Sequence, residues 1–256
     1  MVTYLLKKSY QHKTFKEIKF NDLWGNDGVF TTMWIFDKPV KILFFKKHIK
    51  NLIRSLKAYR LYKPDIEKNI LKLIKLNINK NKNYNHLLRI AVNNKMISIS
   101  LRSRLTPKLK FNLKLINYKR INPEFKNLKY KHILKHLSKL DNSCNDIGLI
   151  SNKKILESGT SNIFFIKSNK IYSPKNQIYK GINYNFFKKK LGKIINQDIK
   201  VNSLNNYDEI LLIGSGKGVA SIKTIKDINW KRKSLKFYKL LFNIYKKEIL
   251  KCPQYR

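Results

Sequence analysis

Residues 157–174 read ESGTSNIFFIKSNKIYSP, and residues 180–183 read KGIN. Glu157 closes the apolar run KKILE. The small residues Ser158, Gly159, Thr160 and Ser161 follow it, the composition of a tight turn. NIFFI and KIYSP are two short strands across a polar turn, so the stretch predicts an antiparallel hairpin. Just upstream, DIGLI and ILESG flank the polar turn SNKK and predict another. INYNFFKKKLGKII then reads as a helix. Further on, EILLIGSGKGVASI is strand, Gly-rich turn, strand. From about Lys231 a last helix turns Leu235, Tyr238, Leu241, Ile244 and Tyr245 toward a core.

The N-terminal part repeats the mixture. Residues 15–45 read as strands, with GVFTTMWIFD followed by the turn Asp37-Lys38-Pro39 and by VKILFF. Residues 46–60 form a helix whose stripe is Ile49, Leu52, Ile53 and Leu56. Residues 65–78 form a second, with Ile66, Ile70, Leu73 and Ile74 on one face. LLRIAV and MISISLRS pair across Asn93-Asn94-Lys95. Thr106-Pro107-Lys108 breaks the pattern. Residues 109–119 alternate as a strand, and Tyr130, Ile133, Leu134, Leu137 and Leu140 mark a helix. The fold class is therefore α/β (α+β). It divides into a smaller N-terminal α+β domain (1–105), a linker (106–111) and a C-terminal domain (112–256).

Composition narrows the function classes. Hydrophobic residues make up 43% and aromatics 12% of the 256 residues, which excludes general disorder. Lys and Arg exceed Asp and Glu by 41. The lysines are dispersed and come with heavy Asn and Ile usage, as in LKLIKLNINKNKNYNH. AT-rich codons supply those three residue types, so a nucleic-acid partner is not expected. No apolar run approaches the ~18 residues of a membrane span. The start has no signal-peptide h-region, and a cytoplasmic location is expected. Cys144 and Cys252 have no companion at zinc or disulfide spacing, and no metal is expected.

Four constellations carry possible chemistry. Glu157, at a strand end beside small residues, can accept a hydrogen bond from a protonated ring nitrogen. An isolated Glu is more commonly a surface group in a turn. Gly214-Ser215-Gly216-Lys217-Gly218 offers backbone amides for an anion, or is a plain strand connection. It is not a nucleotide-binding loop, because Leu211 and Gly218 stand where Gly and Ser/Thr are needed. Gly181-Ile182-Asn183 opens a helix, where free amides suit a phosphate, although most helix starts hold only water. Lys126, Lys129 and Lys131 crowd a strand-to-helix junction, where a lysine of depressed basicity can form a Schiff base. His48 and His132 lack partners at metal-ligand spacing.

Together these pieces resemble the class IV aminotransferases, pyridoxal-phosphate enzymes of fold type IV. ESGTSNIFFIKSNKIYSP with KGIN resembles the family's Glu, four residues, Asn, apolar pair, hairpin, Thr-Pro and Gly-Ile-Thr-Arg. NDGVFTTMWIFDKP resembles its N-terminal strand pair and HIKNLIRSLKAYRL the helix after it. KNLKY resembles Lys-x-Leu-Asn-Tyr, and DEILLIGSGKGVASI resembles the late strand with its Gly-Thr-Ala-Ala turn. The matches keep the family's order over nearly the whole chain.

The resemblance implies pyridoxal 5'-phosphate in the cleft between two domains, and a homodimer. It makes Lys126, 31 residues before Glu157, the catalytic Schiff-base lysine, with Lys129 as runner-up. Glu157 would pair with the pyridine nitrogen and Tyr130 with the phenolic oxygen. Ile182, Asn183 and Ser215 would hold the phosphate. Phe30 and the amides of Gly216 and Lys217 would face the substrate. The family's phosphate-binding Arg falls on Asn51, leaving Arg54 or Lys50 as substitutes. Gly-Ile-Thr-Arg reads Gly-Ile-Asn-Tyr at 181–184, and Ser173 replaces Thr. The carboxylate-binding Arg of D-amino-acid enzymes falls near Asn94. The implied activity is transamination between a small, branched-chain amino acid and a 2-keto acid. The alternatives are aminodeoxychorismate lyase, a catalytically degenerate relative and a basic nucleic-acid-binding protein.

Overall fold

A computed structural model describes residues 3–255. Its strands are β1 (Tyr4–Gln11), β2 (Glu17–Ile18), β3 (Val29–Asp37), β4 (Lys41–Ile42), β5 (Tyr84–Val92), β6 (Met96–Ser103), β7 (Phe111–Asn117) and β8 (Asn145–Ser151). They continue as β9 (Lys154–Ser158), β10 (Asn162–Lys167), β11 (Lys170–Pro174), β12 (Ile195–Gln197), β13 (Ile199–Lys200), β14 (Glu209–Gly214), β15 (Gly218–Ile225) and β16 (Trp230–Lys231). The helices are α1 (Phe45–Ala58), α2 (Ile66–Asn77), α3 (Lys131–Leu137), α4 (Ile182–Leu191) and α5 (Lys236–Leu250). The chain forms two compact units. One runs to Arg104 and also takes in Phe125–Lys131 and the residues from Lys251; the other comprises Leu105–Glu124 and His132–Leu250. The segment carrying Lys126 and Tyr130 thus packs with the N-terminal strands, not with the 112–256 stretch to which the sequence reading joined it.

The first unit is a six-stranded antiparallel sheet in the order β2-β1-β6-β5-β3-β4. Strand alternation gives β3 two roles. Val29, Met33 and Ile35 join Leu88, Ile90 and Val92 of β5 in a core closed by Leu52 and Leu56 of α1 and Ile70, Leu73 and Ile74 of α2. Each such burial is worth about 1.5–3 kcal/mol. Phe30, at an even position, meets Trp24 and Tyr130 with ring centroids 4.8 and 5.4 Å away.

The second unit holds a ten-stranded mixed sheet, β12-β11-β10-β14-β15-β7-β8-β9-β13, with β16 on β15. The pairs β15–β7, β7–β8 and β11–β12 are parallel. Residues 163–166, IFFI, are apolar without alternation because β10 is buried on both faces. Ile163 and Phe165 enter the core with Phe111, Ile210, Leu212 and Trp230. Phe164 instead meets Tyr184 and Phe187 of α4, at 5.5 and 6.4 Å.

Several boundaries differ from the sequence reading. VKILFF yields only the two-residue β4, and Phe45 already begins α1. The helix expected through Ile195 ends at Leu191, because Gly192 takes φ +73° and Ile195 opens β12. The last helix begins at Lys236, since Lys231 pairs with Thr224 in β16. Tyr4–Gln11, not read as a strand, pairs along β6.

Gly28 explains how the Lys126 segment docks on the first unit. A Cβ there would stand 2.4 Å from the Val92 carbonyl oxygen and 2.6 Å from Leu128. Gly28→Ala is expected to destabilise the protein by about 1–3 kcal/mol, measured by urea unfolding, because backbone must move to accept it. Wild-type stability would contradict the close approach.

Candidate active site

In the second unit, Glu157 stands near the end of β9 and is 5% exposed. Its Oε1 accepts a hydrogen bond from Arg120 Nε at 2.6 Å, a pair with side chains 1% and 6% exposed. Arg120 also donates from Nη2 to the Pro123 carbonyl at 2.6 Å. Glu157 Oε2 accepts the Tyr179 N–H at 3.3 Å. A guanidinium is always charged, so it holds the facing carboxylate ionised. Glu157 is therefore a fixed, buried anion rather than a surface group in a turn.

Asn162, five residues on, holds the same loop from the other side. Its Nδ2 donates to the Tyr179 carbonyl at 2.6 Å, and its Oδ1 accepts the Gly181 N–H at 3.0 Å. Between them, Glu157 and Asn162 fix the chain that enters α4. The Asn185 N–H bonds to the Gly181 carbonyl, so the amides of Ile182 and Asn183 lie ahead of the first helical hydrogen bond. Asn183 donates from Nδ2 to the Gly214 carbonyl at 3.1 Å, tying the helix start to the Gly-rich turn. Its Oδ1 is buried with no hydrogen-bond partner among the described residues.

Gly214 pairs with Gly218, which takes φ +69°, so Ser215, Gly216 and Lys217 form the tip of the β14–β15 turn. A Cβ on Gly214 would stand 2.6 Å from Ser161 Oγ, so the turn after Glu157 presses against this one. The structure thus brings Glu157, Ile182, Asn183, Ser215, Gly216 and Lys217 onto adjoining loops of one unit.

The other candidates lie in the first unit. The Phe30 N–H donates to the Lys126 carbonyl at 2.9 Å, and Asn127 bridges Val29. Lys126 Nζ stands 5.0 Å from the Phe30 ring centroid. Lys129 Nζ lies 2.8 Å from Asp27 and 3.3 Å from the Gly25 carbonyl. Tyr130 is buried between Phe30 and Trp24. Arg54 lies on the exposed face of α1, opposite the stripe of His48, Leu52 and Ser55. Helical spacing turns it away from the packed face of the first unit.

Other departures also find physical roles. Tyr184 is fully buried and donates to Asn196 Oδ1 at 2.7 Å, and burial raises its hydroxyl above the usual range. It fills the interior beside Phe164 rather than meeting an anion. Ser173 donates to the Ile163 carbonyl at 3.2 Å.

Sequence reading missed Arg120 and Arg89. Arg89 on β5 lies 3.6 Å from the Trp24 ring centroid and donates to the Asp22 carbonyl at 2.6 Å. Burial lowers its guanidinium to about 10, with the Asp22 charge opposing the shift. Its signal was a charged residue inside LLRIAV. Arg120 had none, because its partner lies 37 residues away.

His48 is buried, with Nδ1 2.8 Å from Thr31 Oγ1. Burial first, and the Lys126 charge second, push it down to about 3. It is neutral at physiological pH.

The residues fit pyridoxal phosphate in this structure. A phosphate needs donors, which the helix-start amides supply, and a protonated ring nitrogen needs an acceptor, which Glu157 supplies. The buried Asn183 Oδ1 without a partner is the kind of acceptor a ligand or a water satisfies.

The amino-transferase class IV family matches residues 28–225. No curated protein sequence matches the chain. Among solved structures, the branched-chain aminotransferase of the archaeon Thermoproteus uzoniensis with norvaline superposes with a TM-score of 0.74 at 15% identity, covering 94% of this chain and 93% of that one. The T.th. branched-chain amino acid aminotransferase, complexed with N-(5'-phosphopyridoxyl)-L-glutamate, gives 0.73 at 14% identity, covering 94% of each chain. A putative branched-chain amino acid aminotransferase from Thermotoga maritima gives 0.74 at 18% identity, covering 95% of this chain and 96% of that one.

Two measurements test the geometry. Arg120→Met is expected to destabilise the protein by about 3–5 kcal/mol in denaturant unfolding, because it leaves Glu157 buried without its cation. Arg120→Met with Glu157→Gln is expected to lose less, and equal losses would contradict the pairing. His48 titrates near 6.5 unfolded and about 3 folded, so the unfolded chain binds its proton first. Stability is therefore expected to fall as pH drops through that window. His48→Gln should remove up to about 1.4 kcal/mol per pH unit from the slope, and an unaltered slope would contradict the assignment.

Proposed function

We propose that this chain, which belongs to the class IV aminotransferase family, moves an amino group between a small, branched-chain amino acid and a 2-keto acid with the aid of pyridoxal 5'-phosphate. The observation that carries the reading is the buried Glu157 carboxylate, held by Arg120 and bonded to the loop that leads into α4. Similar structures at 14–18% identity bear the name of branched-chain aminotransferases, which supports the substrate class. The reading carries with it a homodimer and a cytoplasmic location.

When bound, the cofactor supplies an electron sink for the bond broken at the substrate α-carbon. Glu157 Oε accepts the ring N–H and keeps that proton in place. The amides of Ile182 and Asn183 hold the phosphate, with Ser215 beside them. Tyr130 orients the ring's phenolic oxygen. Lys126 would hold the cofactor through its amine, and in each half of the exchange the same Nζ would carry one proton between the substrate α-carbon and the cofactor, keeping none at the end. The amides of Gly216 and Lys217 face the substrate carboxylate, and Phe30 offers an apolar surface to its side chain. Lys129, whose ammonium pairs with Asp27 at 2.8 Å, is the runner-up for the role of Lys126.

The test is transamination of leucine, isoleucine and valine with 2-oxoglutarate by the cofactor-loaded chain. Lys126→Ala is expected to lose about 10³-fold or more in kcat, and Glu157→Gln about 10²-fold. Lys129→Ala should stay within about threefold of the parent. Activity lost on Lys129→Ala and kept on Lys126→Ala would overturn the lysine. Pyruvate release from aminodeoxychorismate without transamination would replace the reaction.

A further inference from the structure

Lys217 stands at the tip of the β14–β15 turn, yet its side chain folds inward and is 11% exposed. Its Nζ is 3.2 Å from Asp146 Oδ2 and donates to Thr160 Oγ1 at 2.8 Å. The Phe111 ring centroid lies 5.5 Å away. Asp146, on β8, is wholly buried. Its Oδ2 also accepts the hydroxyls of Ser158 at 3.0 Å and Thr160 at 2.8 Å, and its Oδ1 accepts the Ile147 N–H at 2.8 Å. Those donors are neutral, and Lys217 brings the positive charge.

The arrangement is unlike that of an ordinary lysine in so basic a chain, whose ammonium reaches into water. It ties the Gly-rich turn to the turn that begins directly after Glu157. Ser161 against Gly214 makes a second contact between the same two turns. A tip containing Gly216 has little rigidity of its own, since glycine has the freest backbone. A buried ion pair adds little net stability compared with apolar packing, but it fixes geometry when both partners are fully bonded.

We propose that Lys217 is a positioning residue. Its ammonium, anchored on Asp146 and Thr160, fixes the backbone of the Ser215–Lys217 tip so that the amides there meet the carboxylate of the amino or keto acid. This deepens the function proposed above and rests on it. The side chain does not touch substrate, because its Nζ is engaged on Asp146 and Thr160.

The experiment compares the cofactor-loaded parent with Lys217→Met and Lys217→Arg, by steady-state kinetics and by hydrogen exchange of the 214–218 peptide. Lys217→Met is expected to raise KM for both the amino donor and the keto acid about tenfold while kcat stays within about threefold. Cofactor affinity should be unchanged, Lys217→Arg should bring KM back to within about threefold, and exchange at the tip should quicken about tenfold in the Met variant. A purely structural lysine would lower the melting temperature and leave KM alone, which overturns the proposal. Unchanged exchange in Lys217→Met overturns the anchoring itself. A parent with no transamination defeats the underlying function instead, and the exchange result still decides whether Lys217 anchors the turn. If Lys217→Met fails to fold with Asp146 left unmatched, Asp146→Asn with Lys217→Met removes both charges. The same rise in KM is expected there, and a parental KM overturns the proposal.

Discussion

A carboxylate and a guanidinium buried together constrain much of the second unit. Glu157 and Arg120 meet at 2.6 Å with almost no solvent access. Neither charge is tolerable alone in such surroundings, so β9 and the chain after β7 must fold to the same spot. Glu157 keeps a second oxygen for the Tyr179 N–H, and Asn162 takes the carbonyl of that residue and the N–H of Gly181. The start of α4 is thereby fixed by two side chains five residues apart, on either side of one turn. Its free amides then stand beside the Gly-rich turn through Asn183.

The first unit solves a different problem, holding a lysine against an aromatic surface. Lys126 is carried on backbone that pairs with β3, and Gly28 permits the approach. His48 lies close enough to feel the lysine, but burial keeps it neutral. The nearby carboxylate, Asp27, is taken by Lys129. Two lysines three residues apart are thus separated by their surroundings. One is tied into a pair with Asp27, and the other stands against the Phe30 ring.

Much of this was legible in the residues themselves. Alternation and turn residues around Glu157 marked the hairpins, and the helical stripe of α1 marked its buried face. The approximate places of Ile182–Asn183 and of the Gly-rich turn followed from local composition. What failed was of two kinds. Ends were misjudged where a residue could extend a helix but a glycine or strand partner stopped it, as at Gly192 and Lys231. Long-range pairings left no local trace: Arg120 with Glu157, Lys217 with Asp146, and β1 with β6 are set by tertiary packing.

The most direct test of the Lys126 assignment is chemical. The purified chain is loaded with pyridoxal phosphate, scanned for a protein-bound chromophore, reduced with borohydride and mapped by peptide mass. The predicted result is a band that borohydride bleaches, with the label fixed on Lys126. A label on another lysine, or no band after loading, would contradict it.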